Sequence, residues 1–188
     1  MLTILILLAG AYLVGSIPFG KIYCHIFANV DIQKRGSGNI GFANVQRICG
    51  WPIGLATLAC DIAKGFIPTY IALQLGQPTV IVFLVGISAI LGHVFPMWLM
   101  FNGGKGIATG LGLIIVMSPA AAAVAGFVFI VATLLKQQAS SASLEALIAA
   151  GLVVFITQPQ LWWIPVILLA IALWTLRHNL AGTLPDYG

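Results

Sequence analysis

DIQKRGSGNIGFANVQRICG, residues 31–50, is the longest polar interval in a chain that is otherwise almost entirely apolar. It holds three of the eight Lys and Arg residues, and five of the six positions 36–41 are Gly, Ser or Asn. This composition is typical of a tight loop whose backbone N–H groups converge on an anion. Because so polar a segment is not stable in hydrocarbon, we expect it at a water interface or in a cavity walled by protein.

The rest of the composition predicts a membrane protein. Of 188 residues, 61% are hydrophobic and 6% are charged, and the mean hydropathy is +1.09. Soluble domains carry about 25% charged residues. At about 20 residues per spanning helix, the length allows roughly seven short spans. We therefore expect an all-α membrane fold in a single domain, residues 1–188.

The apolar runs place these spans along the chain. Pro18, between Gly15 and Gly20, predicts a bend or break near the end of the first span. The predicted spans cover approximately residues 2–22, 51–75, 80–100, 107–117, 120–135, 144–156 and 161–176.

The basic residues indicate the orientation. The turns at Gln77, Ser118 and Gln158 contain no Lys or Arg, whereas the other polar intervals hold seven of the eight basic residues. Cytoplasmic loops carry the excess of Lys and Arg. The N-terminus is thus predicted outside and the C-terminus in the cytoplasm, with the polar intervals converging on one cytoplasmic face.

The net charge of +4 and the pI near 9.2 indicate anionic partners. Because the chain is so apolar, anionic lipid or an anionic substrate at the membrane face is favoured, and nucleic acid is not. The three cysteines, Cys24, Cys49 and Cys60, show no CxxC spacing. They predict neither a metal site nor a disulfide framework, and we expect free thiols.

Two glycine-rich loops favour phosphate chemistry. The second, GGKG at residues 103–106, opens a predicted helix and so offers free N–H groups at the positive end of the helix dipole. Neither loop has the GxxxxGK[ST] pattern, so ATP hydrolysis is not expected. The side chains suited to bind phosphate are a hydroxyl, two amides and two cations: Ser37, Asn39, Asn44, Arg47 and Lys105.

Three further ionisable residues fall inside predicted spans. His93 lies about two helical turns before the GGKG loop. Three roles are open for it: a general acid or base, a donor to an oxyanion, or a neutral histidine bonded between helices. Asp61 and Lys64 share a helix face at i, i+3, where they either pair to hold helices together or contact substrate.

Three stretches resemble the acyl-phosphate:glycerol-3-phosphate acyltransferases, the PlsY family: GSGNIGFANVQRICG at 36–50, Asp61 with Lys64-Gly65, and GHVFPMWLMFNGGKGIATGLG at 92–112. The resemblance covers nearly the whole chain. It implies a seven-helix enzyme of the bacterial inner membrane that transfers a fatty acyl group from acyl phosphate to the 1-hydroxyl of glycerol-3-phosphate, giving lysophosphatidic acid and phosphate. It also implies no cofactor or metal, no acyl-CoA, and a functional link to a soluble enzyme that produces acyl phosphate.

The resemblance also implies roles for individual residues. Ser37, His93 and Lys105 are the expected catalytic residues. Substrate binding is expected of Gly36, Gly38, Asn39, Asn44, Arg47, Gly103, Gly104, Ser140, Arg177, His178 and Asn179. Among these, Ser37, Asn39 and Lys105 are expected to hold the acyl phosphate, and Arg47, Arg177, His178 and Asn179 the glycerol phosphate.

Two other classes of function remain open at this stage. One is a catalytically silent or acceptor-altered paralogue that binds acyl phosphate or phospholipid. The other is a small transporter of anions, which broken helices and glycine loops also fit.

Overall fold

The structure, a computed structural model, describes residues 1–135 and 138–180, with side chains up to residue 177. The described residues are helical apart from turns and short connections, and they contain no strand. They group into two compact units, Met1–Leu113 and Ile114–Gly188. The sequence predicted a single domain, and this grouping does not test that prediction.

The α-helices of the first unit are α1 (Leu2–Gly15), α2 (Phe19–Ala28), α3 (Phe42–Cys49), α4 (Trp51–Gln74), α5 (Thr79–Val94) and the start of α6 (Ile107–Met117). The unit is built around α4 and α5. α1 packs on α4 and α5, α4 packs on α5, and the short α2 and α3 pack on α4 and on each other.

The second unit contains α7 (Pro119–Leu134), α8 (Ala139–Thr157) and α9 (Trp163–Leu180), with α8 packed on both neighbours. α8 begins earlier than the predicted residue 144. Its serines explain the difference, because Ser143 Oγ donates to the carbonyl oxygen of Ala139 at 2.6 Å and so satisfies its polar group within the helix.

The predicted all-α membrane class is confirmed. Among the described residues, four segments are long and apolar enough to cross a membrane by length and composition: Leu2–Ala28, Thr79–Leu99, Ala139–Thr157 and Pro159–Arg177. α6 and α7 are apolar but shorter. The total of seven spans and the orientation of the termini stay predictions.

The predicted break in the first span is confirmed. α1 ends at Gly15 and α2 begins at Phe19, because Pro18 has no N–H to continue the helical ladder. The end of α1 is fastened to α5 by the Tyr12 hydroxyl, which donates to the carbonyl oxygen of Phe95 at 2.8 Å.

Glycines allow close helix packing in the first unit. A Cβ at Gly65 of α4 would overlap the carbonyl oxygen of Thr109 of α6, and a Cβ at Gly112 would overlap that of Ile62. Small residues at membrane helix interfaces let backbones approach in this way. α4 and α6 are thereby held in contact at two successive points.

The cysteine prediction is wrong for two of the three residues. Cys24 of α2 and Cys49 of α3 form a disulfide with a Cα–Cα distance of 6.0 Å, whereas Cys60 is free as expected. A sequence separation of 25 residues gave no recognisable spacing. Cys24 lies in a small buried core with Ile32, Ile40 and Val45, at the base of the polar stretch.

We expect Gly65→Ala to lower the free energy of unfolding by about 1–3 kcal/mol, because the methyl group must push α6 away from α4. Gly126→Ala in α7 is the matched control, since no atom lies within 4 Å of a Cβ there. Thermal unfolding in one detergent compares the two proteins. Equal midpoints for the two variants would contradict the close packing of α4 on α6.

Candidate active site

Two glycines shape the polar turn ahead of α3. Gly36 has φ = 56° and Gly38 has φ = 72°, both in the left-handed region that glycine adopts without steric cost. Ser37 lies between them and is partly exposed. Asn39 closes the turn, because its Oδ1 accepts a 2.7 Å hydrogen bond from the N–H of Gly41.

Asn44 of α3 holds this turn from inside. It is 2% exposed, and its Nδ2 donates to the carbonyl oxygens of Arg35 at 3.0 Å and Asn39 at 2.9 Å. Its Oδ1 accepts the N–H of Ser37 at 3.1 Å. Through these hydrogen bonds the Asn44 amide binds the backbone of the turn and stabilises its conformation. Its predicted contact with substrate stays a prediction.

The second glycine loop is fixed to the end of α5. The N–H of Gly103 donates to the carbonyl oxygen of Val94 at 3.1 Å, and that of Gly104 to the carbonyl oxygen of His93 at 3.0 Å. Lys105 follows and is partly exposed, directly ahead of α6. As predicted, this loop lies at a helix N-terminus, where backbone donors and the helix dipole favour an anion.

Gln33 connects the two loops. Its Nε2 donates to the carbonyl oxygen of Asn102 at 3.1 Å, and its Oε1 accepts from Lys21 Nζ. The two glycine-rich loops are therefore neighbours in the first unit, although they are separated by more than 60 residues of sequence. Neither Gln33 nor Lys21 was predicted as a site residue. Their only signal was position, Gln33 within the polar stretch and Lys21 at the end of the first span.

Asp31 organises the charges beside the first loop. Its carboxylate lies 3.6 Å from Lys21 Nζ and 3.6 Å from Lys34 Nζ. Desolvation acts to raise the pKa of Asp31, but Lys21, the backbone N–H of Gln33 and Lys34 together outweigh it and hold that pKa below its ordinary value. Asp31 is therefore ionised at neutral pH and pairs with both lysines, of which Lys34 is largely exposed.

His93 lies behind the second loop. It is 3% exposed, and its Nδ1 is 3.6 Å from Asp61 Oδ1, which is itself 2.8 Å from Lys64 Nζ. The predicted Asp61–Lys64 pair is thus confirmed. The other edge of the ring meets the loop, since a Cβ at Gly104 would overlap His93 Nε2. The predicted acid–base role of His93 is untested by this arrangement.

The remaining predicted residues belong to the second unit. Ser140 is 5% exposed in α8. Arg177 of α9 is exposed, and its guanidinium lies 4.4 Å from the centroid of the Trp174 ring. The side chains of His178 and Asn179 lie outside the described residues. The substrate contacts expected of these four residues remain predictions.

An apolar cavity, open on one side, lies between α2 and the start of α4. Its volume is about 320 Å³. Ile53, in its wall, also packs against the buried core of Cys24, Ile32, Ile40 and Val45. The cavity therefore adjoins that core, which includes Ile40 of the first loop. It is lined by Tyr23, Phe27, Pro52, Ile53 and Ala56.

Comparison with known sequences gives consistent matches. A family model described as glycerol-3-phosphate acyltransferase matches residues 5–184. A glycerol-3-phosphate acyltransferase of Myxococcus xanthus is 39% identical over 173 residues, covering 90% of this chain and 90% of the relative. One of Geotalea daltonii is 42% identical over 181 residues, covering 94% and 91%.

Two solved structures have a similar fold. The crystal structure of PlsY (YgiH), an integral membrane glycerol 3-phosphate acyltransferase, in its glycerol 3-phosphate form matches with a TM-score of 0.90 and 33% identity, covering 99% of this chain and 96% of that one. The lysophosphatidic acid form of the same protein matches with a TM-score of 0.88, the same identity and the same coverage.

Asn44→Ala is expected to loosen the first loop by about 1–3 kcal/mol, because it leaves buried backbone groups without partners. Hydrogen exchange measured on peptides spanning residues 31–41 should then speed up. Gln46→Ala, in the same helix, is the control. Exchange in Asn44→Ala no faster than in Gln46→Ala would contradict the role of the Asn44 amide.

Proposed function

This chain belongs to the glycerol-3-phosphate acyltransferase family, so it is an enzyme of phospholipid synthesis that acylates glycerol-3-phosphate, and we propose that an acyl phosphate is its acyl donor. The products are then lysophosphatidic acid and inorganic phosphate. The acceptor and product agree with the forms in which the similar PlsY structure was solved.

The observation that carries this proposal is the proximity of the two glycine-rich loops. Gln33, three residues before Gly36, donates to the carbonyl oxygen of Asn102, the residue before Gly103, at 3.1 Å. Each loop combines glycine backbone with one partly exposed functional side chain, Ser37 or Lys105. An acyl phosphate and glycerol-3-phosphate bring two phosphate groups to one reaction, and two adjacent anion-binding loops are suited to hold them.

For this reaction the protein mainly has to align the two substrates and to stabilise the negative charge that develops. The 1-hydroxyl oxygen of glycerol-3-phosphate attacks the carbonyl carbon of the acyl phosphate, and the bond between that carbon and the phosphate oxygen breaks. Phosphate leaves with the electron pair, and the hydroxyl proton passes to a phosphate oxygen. In this proposal Ser37, Asn39 and Lys105 bind the acyl phosphate, and Lys105 offsets the developing negative charge.

Glycerol-3-phosphate is proposed to bind to arginine. Arg47 is exposed near the end of α3, the helix that follows the first loop, and a planar guanidinium can bind a phosphate through two hydrogen bonds. Similar roles for Ser140, Arg177, His178 and Asn179 rest on the family resemblance alone.

The acyl chain is proposed to occupy the apolar cavity between α2 and α4. Through Ile53 the cavity adjoins the buried core that includes Ile40 of the first loop, and its lining residues carry aromatic and aliphatic groups. A chain placed there leaves its activated carbonyl at the loop and its methylene groups out of water, which is favourable by about 0.8 kcal/mol per buried CH₂.

The protein is a multi-pass membrane protein. We place it in the bacterial inner membrane with both loops facing the cytoplasm, where glycerol-3-phosphate and a soluble enzyme that makes acyl phosphate are available. The distribution of Lys and Arg along the sequence supports this orientation.

The purified protein in lipid, given acyl phosphate and radiolabelled glycerol-3-phosphate, should form labelled lysophosphatidic acid. Ser37→Ala and Lys105→Ala should each lower kcat/KM by about 10- to 100-fold, the equivalent of a lost hydrogen bond to a charged group. Lys34→Ala, whose side chain is 82% exposed, is the control and should change little. Bound acyl phosphate without product would instead favour an acceptor-altered paralogue.

Ala56→Trp is expected to shift the preference toward shorter acyl phosphates, because the indole fills the cavity. The ratio of kcat/KM for long and short donors measures this shift and is insensitive to the amount of folded protein. Ala123→Trp, at an exposed position of α7, is the control. An unchanged ratio in Ala56→Trp would contradict the placement of the acyl chain in this cavity.

A further inference from the structure

Three ionisable side chains are buried together on α4 and α5. Asp61 and Lys64 are each 2% exposed, and His93 is 3% exposed. Asp61 Oδ1 lies between the other two, 2.8 Å from Lys64 Nζ and 3.6 Å from His93 Nδ1. Burying charges is costly unless they are paired. The proposed reaction assigns no role to Asp61, so its burial in α4 calls for a reason.

Lys64 fixes the carboxylate from one side. Its Nζ also donates to the carbonyl oxygen of Ile17 at 3.1 Å. That carbonyl directly precedes Pro18, in the break between α1 and α2. The ammonium group is therefore tied to backbone as well as to Asp61, so the Asp61 carboxylate has a defined position relative to the break between α1 and α2.

His93 lies between the Asp61 carboxylate and the second loop. Its Nδ1 edge faces Asp61, and its Nε2 edge fills the space that a side chain at Gly104 would need. The N–H of Gly104 donates to the His93 carbonyl oxygen at 3.0 Å. The His93 ring is therefore packed directly against Gly104, the residue that precedes Lys105.

We propose that Asp61 is a positioning residue for acyl transfer: its carboxylate orients the His93 ring, and the ring seats the Gly104 turn that aims Lys105 at the substrate phosphate. The inference rests on the proposed function, since it gives Lys105 its task. In it His93 acts from behind the loop and not on the reacting atoms. This differs from the acid–base role that the sequence predicted.

The test removes the charge pair together, because Asp61→Asn alone would leave Lys64 buried without its counter-ion. The variant Asp61→Asn/Lys64→Met is compared with His93→Gln and with the triple variant, by kcat/KM and by thermal unfolding in the same lipid. Thr57→Val is the control on the same helix face. Thr57 is fully buried, and its hydroxyl donates to the Ile53 carbonyl oxygen at 2.9 Å, away from His93.

We expect Asp61→Asn/Lys64→Met to fold with a midpoint near that of Thr57→Val, yet to lose about 10- to 100-fold in kcat/KM, the scale of an active-site displacement of about 1 Å. Adding His93→Gln should cause no further loss, because both changes act through the same ring. Wild-type kcat/KM in the folded pair variant would overturn the proposal. Losses that multiply in the triple variant would also overturn it.

If the pair variant does not fold, Asp61→Glu replaces it in the same cycle. This substitution keeps a negative charge beside Lys64 and displaces the carboxylate by one methylene group. The same two outcomes then decide the proposal. An inactive wild type would contradict the proposed function and this inference together. An active wild type with unaffected Asp61 variants would contradict the inference alone.

Discussion

Backbone polar groups that leave a helix within or beside hydrocarbon must find partners inside the protein, and this constraint underlies the first unit. At the break after α1, the carbonyl oxygen of Ile17 accepts from Lys64. At the end of α5, that of Phe95 accepts from the Tyr12 hydroxyl. The groups that satisfy these carbonyls come from distant helices. Each irregular stretch is therefore also a point at which the tertiary structure is fixed.

The same constraint produces the candidate active site. Asn44 supplies both donors and an acceptor to the first loop, which leaves the Ser37 side chain in a defined turn. The carbonyl oxygens of His93 and Val94, at the end of α5, receive the N–H groups of the second loop. In both loops, hydrogen bonds from the protein constrain the irregular backbone, and such preorganisation lowers the ordering cost of binding a phosphate.

Much of the site could be predicted from residue type. Glycines at 36 and 38 predict a tight loop, because other residues rarely adopt a positive φ. The structure shows φ = 56° and 72° there. Pro18 reads as a helix break because it lacks a donor. Asp61 and Lys64 read as a pair because helical spacing brings i and i+3 together. Each of these inferences depends on chemistry within a few residues of chain, which the sequence displays directly.

The sequence by itself determined the membrane class, the helix breaks, the two glycine-rich loops and the family resemblance, because composition and local spacing carry them. Only the tertiary structure decided that Cys24 meets Cys49, that Gln33 joins the two loops, and that His93 lies between Asp61 and Gly104. These contacts join residues far apart in the chain. They depend on how closely glycine-faced helices pack, a distance that no single stretch of sequence specifies.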